Sequence, residues 1–104
     1  QNIVRTAPRP GGEALIRRNV DAAVAGQIRL DDATPQFGKQ IERVFPSMSK
    51  ELASYGRVKA VSFVAVDRNG FDVYRVQHEH GVRDWHMLIN SDGKVARAFS
   101  REVH

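Results

Sequence analysis

Residues 57–104, with the sequence RVKAVSFVAVDRNGFDVYRVQHEHGVRDWHMLINSDGKVARAFSREVH, contain the pattern of strands and turns from which the fold can be predicted. Asn69-Gly70 and Asp92-Gly93 separate runs that are rich in β-branched and aromatic residues. These dipeptides accept the positive φ angles that both central residues of a type I′ turn require. Together with a turn at His80-Gly81, they predict a four-stranded antiparallel meander with strands at about 58–67, 71–79, 82–90 and 94–103.

Two-residue turns set the register of this meander. They pair residue 66 with 73, residue 76 with 85 and residue 89 with 96, and side chains then alternate between the two faces of the sheet. The inner face, which we expect to pack against helices, collects Val61, Phe63, Ala65, Tyr74, Val76, His78, Trp85, Met87, Ile89, Ala96 and Ala98. The outer face collects Val64, Val66, Phe71, Val73, Leu88, Val95 and Phe99, together with Arg75, Gln77, His86, Arg97 and Arg101.

The outer face carries more apolar side chains than a face open to water normally does. A solvated face of an antiparallel sheet usually alternates to polar residues, and contiguous exposed apolar patches mark interfaces. We therefore predict a homodimer in which a second copy of the chain covers this face; the alternative cover is the N-terminal tail. The predicted interface contains Val64, Val66, Val73, Arg75, His86, Leu88, Arg97 and Phe99.

The N-terminal half predicts a tail followed by helices. Residues 1–12 contain two prolines, two glycines and two arginines without an apolar period, so we expect a flexible tail or linker left by a signal sequence or an upstream domain. A helical apolar spacing follows over 13–27 and resumes at Thr34-Pro35, which suits an N-cap and a first helical position. Pro46 is expected to interrupt or kink this second helix, so that a third short helix runs from Ser47 to a stop at Gly56. Residues 13–104 would then form one α+β domain, with helices on one face of a curved four-stranded antiparallel meander.

Composition excludes several classes of function. The chain has 104 residues, of which 41% are hydrophobic, and this suits one domain with one modest core. The absence of cysteine excludes disulfides, thiolate catalysis and Cys-ligated zinc, and no apolar run is long enough to span a bilayer. The formal charge is +4, but the arginines are scattered along the chain, so we expect no nucleic-acid partner. Phosphate or nucleic-acid binding through Arg75, Arg97 and Arg101 is the weakest alternative.

Four inner-face positions supply the best set for acid–base chemistry. Asp72, Tyr74 and His78 follow one another along the second strand, and Trp85 lies on the third. A histidine exchanges protons near neutral pH and a tyrosine hydroxyl donates to a developing oxyanion, so Asp72, Tyr74 and His78 are candidate catalytic residues. The alternative is a set of core side chains with polar tips at the rim. A ligand pocket on this face would be lined by Phe63, Tyr74, His78, Trp85 and Met87.

Metal and phosphate motifs are weak or missing in the sequence. His78-Glu79-His80 has two possible ligands, but His80 lies in a predicted turn and no third ligand follows at a recognisable spacing. There is no glycine-rich phosphate loop and no Gly-x-Ser-x-Gly motif. We expect neither a metal nor a cofactor.

Four segments carry a resemblance to a known superfamily: GRVKAVSF at 56–63, GFDVYRV at 70–76, GVRDWHM at 81–87 and DGKV at 92–95. Their order resembles small bacterial members of the nuclear transport factor 2-like superfamily, uncharacterised domains found alone or C-terminal to serine beta-lactamase-like hydrolases. The resemblance covers about residues 13–103 and implies a cystatin-like fold. Enzymes of this superfamily typically use an Asp or His in the cone between helix and sheet, and many other members are binding or dimerisation modules.

Two interpretations of function follow. The leading one is a non-catalytic binding or dimerisation module, of an exported or periplasmic bacterial protein, with a shallow pocket between helices and sheet for a small molecule or peptide. The alternative is a small isomerase- or dehydratase-like enzyme that uses His78 and Tyr74 in the cone between helix and sheet.

Overall fold

The computed structural model describes residues 5–104, so the first four residues of the predicted tail lie outside the described part of the chain. Its elements are α1 (Gly12–Val24), α2 (Pro35–Tyr55), β1 (Val58–Val66), β2 (Asp72–His78), β3 (Gly81–Ile89) and β4 (Val95–Glu102). The four strands form one antiparallel sheet in the order β1-β2-β3-β4. Both helices pack against this sheet, and the α+β prediction is confirmed. Neither helix within residues 5–104 combines the length and the hydrophobicity that a membrane span requires.

Local sequence signals explain the helix ends. At the end of α1, the N–H groups of Gly26 and Gln27 donate to the carbonyls of Ala23 and Ala22, a Schellman arrangement that needs the positive φ of 78° at Gly26. At the start of α2, the Thr34 hydroxyl accepts a hydrogen bond from the Phe37 N–H at 3.2 Å, and proline occupies the first turn. The predicted threonine cap is therefore confirmed.

The predicted break at Pro46 is wrong. A single helix of 21 residues runs through it, and no separate helix starts at Ser47. Proline removes the N–H that would bond to the carbonyl of Glu42. Because Glu42 and Pro46 are both exposed, water can solvate that carbonyl, and the helix continues.

The core lies between the helices and the inner face. Leu15, Ile16 and Val20 of α1 and Leu52 of α2 are buried there, and Ser49 of α2 donates from its hydroxyl to the Ala23 carbonyl of α1 at 2.7 Å. From the sheet, the core receives Val58, Tyr74, Val76, Met87, Ile89 and Val95.

Two of the hairpin turns differ from the predicted type I′. Within residues 5–104, glycines alone have positive φ, so Asn69 and Asp92 do not adopt the conformation that a type I′ turn requires. Instead, Gly70 N–H donates to the Asp67 carbonyl and Gly93 N–H donates to the Asn90 carbonyl, each closing a three-residue loop with a glycine at its end.

The same side-chain cap shapes both loops. Asp67 Oδ1 accepts from the N–H groups two and four residues later, at 2.9 and 3.0 Å, and Asn90 Oδ1 does the same at 3.0 and 2.9 Å. Such Asx turns favour the longer loop over a two-residue turn. The loops are therefore defined by Asp67-x-x-Gly70 and Asn90-x-x-Gly93 rather than by the final dipeptides alone.

These loops and three irregularities in strand pairing change the predicted register. Val66 pairs with Asp72 rather than residue 73, and Ile89 pairs with Val95 rather than residue 96. The turn predicted at His80-Gly81 lies one residue earlier, because Gly81 already pairs with His78. Each residue of β2 therefore pairs with a β3 residue two positions earlier than predicted: Val76 pairs with Arg83 rather than with residue 85. A change by two residues leaves the faces of β2 and β3 as predicted.

As a result, the predicted sheet faces are wrong for four residues: Ala65, Val66, Val95 and Ala96. A bulge at Val64 brings Ala65 opposite Val73 on the outer face and turns Val66 toward the side of buried Asp72. A second bulge, at Ala96, places Val95 in the core and leaves Ala96 without an inner-face partner.

Residues 5–11 precede α1 and contact the start of β2. The Arg5 guanidinium lies 2.8 Å from the buried carboxylate of Asp72, and the Arg9 N–H donates to the same carboxylate at 2.9 Å. The described part of the predicted tail is therefore bound to the sheet beside α1.

Candidate functional site

A cavity of about 270 Å³ lies between the two helices and the β3–β4 half of the inner face. It forms because α1 packs on β1 and β2, while α2 packs on α1 and β4. The walls are predominantly apolar and comprise Leu15, Ile16, Val20, Ala23, Phe37, Ile41, Val44, Phe45, Met48, Leu52, Trp85, Met87, Val95 and Ala98. The polar side chains of the lining belong to Asn19, Gln27, Arg29, Asp32 and Gln40.

Asp32 organises the polar end of this cavity. Its carboxylate accepts two hydrogen bonds from Arg18, at 2.6 and 2.9 Å, and a third from the Asn19 amide at 2.8 Å. The bonds from Arg18 lower the pKa of Asp32 well below its usual range; burial opposes this shift, and Asn19 and Arg29 add to it. Asp32 is therefore ionised at neutral pH, with its oxygens already engaged.

Two residues of the cavity lining, Arg29 and Trp85, each have a buried donor without a partner in the described part of the chain. The Arg29 guanidinium approaches Asp32 only at 3.5 Å. Its Nε–H and the Trp85 indole N–H are both buried and find no acceptor within residues 5–104. Buried donors without a partner are uncommon in folded proteins and call for a physical explanation.

Two of the five residues predicted for a ligand pocket belong to the lining of this cavity. Trp85 and Met87 line it, whereas Phe63, Tyr74 and His78 do not. The Phe63 and Tyr74 rings pack edge to face, with centroids 5.6 Å apart, on the β1–β2 half of the sheet. That half is covered by α1, so these rings fill core space rather than lining the opening.

The three candidate catalytic residues share the inner face but have separate environments. Asp72 is 1% exposed and is bound by Arg5 and Arg9. The Tyr74 hydroxyl lies against Gly12 at the start of α1. His78 is 5% exposed, and its Nδ1 lies 2.8 Å from the Gly56 carbonyl. No hydrogen bond joins any two of the three side chains among those described for residues 5–104.

Burial makes Tyr74 a poorer proton donor. Desolvation raises the pKa of its hydroxyl, and the negative charges of Asp72 and Glu13 raise it further, while Arg5 acts in the opposite direction. The structure therefore gives the proposed acid–base set neither a shared hydrogen-bond network nor a place in the lining of the cavity described above.

The two histidines of His78-Glu79-His80 also have different surroundings. His78 is buried, whereas His80 is exposed in the turn between β2 and β3. Within residues 5–104, no group of three His, Asp or Glu side chains is arranged to hold a metal ion.

The outer face covers part of its own apolar surface. Phe71 is 7% exposed; its ring lies 5.9 Å from the Phe99 ring and 5.7 Å from the Arg97 guanidinium. His86 stacks on Phe99 at 4.5 Å and contacts the Asp67 carboxylate at 2.8 Å. Stacked rings and cations thus replace the polar alternation that an open sheet face normally shows.

The remaining outer-face residues divide into paired and exposed groups. Arg75 makes a bidentate pair with Asp84, at 2.8 and 3.0 Å. Val73 is buried and Leu88 is half-buried, whereas Val64 and Phe99 are 46% and 40% exposed. Of the predicted interface residues, Val64 and Phe99 are the two large apolar side chains that face solvent.

The polar end of the cavity was not predicted from the sequence. Arg18 and Asn19 belong to α1, while Arg29 and Asp32 belong to the connection before α2. Nothing in their spacing predicts that they meet, because the contact depends on how the connection folds back along α1. An arginine next to an asparagine on a helix is ordinary surface sequence.

Comparisons of the chain with protein-family models, with curated proteins and with solved structures found no significant match.

Proposed function

We propose that this domain is a non-catalytic binding module that holds a small, largely apolar molecule or a peptide side chain in the cavity between α2 and β3–β4. The observation that carries the proposal is a cavity of about 270 Å³ with apolar walls and one polar end. Ligand sites typically combine these features, because apolar walls supply affinity and a few polar groups fix orientation.

The catalytic alternative, an isomerase- or dehydratase-like enzyme, receives less support. General acid–base catalysis requires the acid or base to lie within hydrogen-bond reach of the substrate. Tyr74 and His78 are absent from the cavity lining, and each is buried against another element. A substrate would therefore need a second opening beside α1 or α2 to reach them.

The resemblance in the sequence is part of the same proposal. A cystatin-like fold of the nuclear transport factor 2-like superfamily is supported by two helices on one face of a four-stranded meander whose strands follow chain order. Binding modules are common in that superfamily, as the resemblance implies.

Cavity filling tests the binding proposal. Ala98 is partly buried and lines the cavity, so Ala98→Leu adds three carbon atoms to it. Trp85 is the single tryptophan of the chain, and its fluorescence, together with amide chemical shifts, reports binding of a small apolar probe such as cyclohexanol or octanamide. We expect saturable binding to the wild type and to Ala53→Leu, a control on the exposed side of α2, and at least tenfold weaker binding to Ala98→Leu. Equal binding to all three proteins would contradict the proposed location.

We also propose that the outer face forms a homodimer, as the exposed Val64 and Phe99 suggest. A charge at Phe99 would have to be desolvated at such an interface. Phe99→Glu should therefore dissociate the dimer in sedimentation velocity, whereas Ile28→Glu, at a side chain of similar exposure (43%), should not. A wild-type protein that stays monomeric at millimolar concentration would rule out this part of the proposal.

A further inference from the structure

The cavity has a charged end as well as apolar walls, and we infer that its ligand is a small amphipathic carboxylate of roughly ten non-hydrogen atoms. This inference rests on the proposed binding function and specifies its ligand class. The carboxylate would bind at Arg29, and the hydrocarbon part would extend between α2 and β3.

Charge counting at Asp32 supports an anionic ligand. Arg18 and Arg29 both approach this one carboxylate. Arg18 takes both oxygens in a bidentate pair, and Asn19 takes one of them as well. Two guanidinium groups and one carboxylate leave one positive charge, located on the arginine with the longer contact, 3.5 Å. The neighbouring Asp31 is exposed, and the Lys94 ammonium donates a hydrogen bond to the backbone carbonyl of Asp31. The negative charge of Asp31 therefore has a nearby cation in Lys94.

The donor geometry favours a carboxylate over a neutral polar group. Arg29 lines the cavity and its side chain is 36% exposed, although its Nε–H is buried and has no acceptor in the described chain. Two N–H groups of a planar guanidinium match the two oxygens of a carboxylate, an arrangement that a single neutral acceptor cannot complete. Gln27 and Gln40 also belong to the lining and carry neutral amide groups.

Size limits the hydrocarbon part. A volume of about 270 Å³ corresponds to about nine water-sized units, because one water molecule occupies about 30 Å³ in the liquid. An eight-carbon acid has ten non-hydrogen atoms and fits this limit. Met87, Val95 and Ala98 provide apolar contact along the sheet side of the cavity, where a second acidic or basic group would be desolvated without a partner.

Octanoate and octanamide form a matched pair of probes, since they have the same shape and differ in charge. We expect octanoate at pH 7 to bind roughly tenfold more tightly than octanamide, because a charge-assisted bidentate contact exceeds a neutral one by about that factor. Titrations would follow Trp85 fluorescence and amide chemical shifts. Binding at the proposed site should perturb residues of α2 and β3 that line the cavity.

Variants of Arg29 decide whether this residue is responsible. Arg29→Gln should abolish the preference for octanoate, and Arg29→Lys, which keeps the charge but loses the planar fork, should retain part of it. Arg17→Gln is the matched control, because Arg17 is an exposed arginine of α1 outside the cavity lining. Circular dichroism and thermal melts would establish that each variant is folded before it is titrated.

The outcomes separate the inference from the proposed function. A preference for octanoate that disappears in Arg29→Gln and persists in Arg17→Gln supports the inference. Equal binding of octanoate and octanamide, or a preference unchanged in Arg29→Gln, overturns the carboxylate inference but does not contradict the proposed binding function. If neither probe binds at millimolar concentration, both the inference and the proposed cavity function are wrong.

Discussion

Gly81→Ala is expected to destabilise the domain through one steric contact. A Cβ atom at Gly81 would lie 2.5 and 2.6 Å from Cδ2 and Cε2 of the Tyr55 ring, whereas carbon atoms in favourable contact lie about 3.5–4.0 Å apart. Gly81 has no positive φ, so alanine is compatible with the backbone and the clash is the main cost. The site therefore isolates packing from backbone strain.

The surroundings of Tyr55 determine how large this cost is. The ring is 9% exposed and lies edge-on to His78, with centroids 5.3 Å apart. Its hydroxyl accepts a hydrogen bond from Arg83 at 3.1 Å, and the Arg83 guanidinium also lies 5.6 Å from the ring centroid. A ring that contacts both His78 and Arg83 cannot move by about 1 Å without losing contacts, and overpacking of this kind costs about 1–3 kcal/mol.

Replacing a strand glycine also brings a gain of about 0.5–1 kcal/mol, because alanine loses less backbone entropy on folding. The net loss expected for Gly81→Ala is then about 1–2 kcal/mol, or a melting temperature lower by roughly 5–15 °C for a domain of this size. Gly38→Ala is the matched control. Its Cβ would meet only Leu30 Cδ2, at 3.9 Å, within helix α2, so the same chemical change should raise the melting temperature by several degrees.

Calorimetry or circular dichroism melts of the two variants provide the assay, and Tyr55→Leu completes a double-mutant cycle. If the ring causes the clash, the cost of Gly81→Ala should fall below about 0.5 kcal/mol in the Tyr55→Leu background. An unchanged melting temperature for Gly81→Ala, or a cost that is the same in both backgrounds, would show that the Tyr55 ring does not cause the destabilisation.

Three further substitutions test separate parts of the structure. Asp32→Asn should lower the free energy of unfolding at pH 7 by about 1–3 kcal/mol. Because the pKa of Asp32 is lowered in the folded state, the stabilising effect of its carboxylate is present above about pH 4 and declines in more acid solution. Denaturant titrations of the variant and the wild type should therefore converge as the pH falls. Arg5→Met should cost about 1–3 kcal/mol in the same titrations by leaving the Asp72 carboxylate without its cation, and this cost should be smaller in an Asp72→Asn background. Met87→Ala, at a side chain 2% exposed, should cost about 2–5 kcal/mol in a urea titration, and a loss below 1 kcal/mol would contradict the assigned core.

The hairpins illustrate how far the sequence leads toward the fold. The glycines at 70 and 93 correctly mark chain reversals, but the dipeptide signal predicted the wrong loop length. The deciding groups are Asp67 and Asn90, whose side chains lie three residues before each glycine and cap the loop N–H groups. A search for Asx-x-x-Gly instead of Asx-Gly would have given the observed loops.

The candidate site was less predictable than the fold. Alternation along β3 correctly placed Trp85 and Met87 on the inner face, where both line the cavity. The same rule placed Tyr74 and His78 on that face but could not tell core from cavity, because the difference depends on which helix lies above each strand. Helix α1 covers β1 and β2 and buries Tyr74, whereas the cavity lies over β3 and β4 next to α2.

The number and order of the strands, the threonine cap of α2 and the helix-facing residues of β2 and β3 could all be predicted from local sequence. They depend on backbone preferences and on the alternation of neighbouring side chains. Other features depend on the tertiary structure: the position of α2, its continuation through Pro46 and the residues that line the cavity. The contacts of Arg18, Asn19 and Arg29 with Asp32 also belong to this group. These features arise from contacts between distant elements, whose distances and burial local patterns do not encode. The charge at the cavity's end is for this reason a property of the folded chain alone.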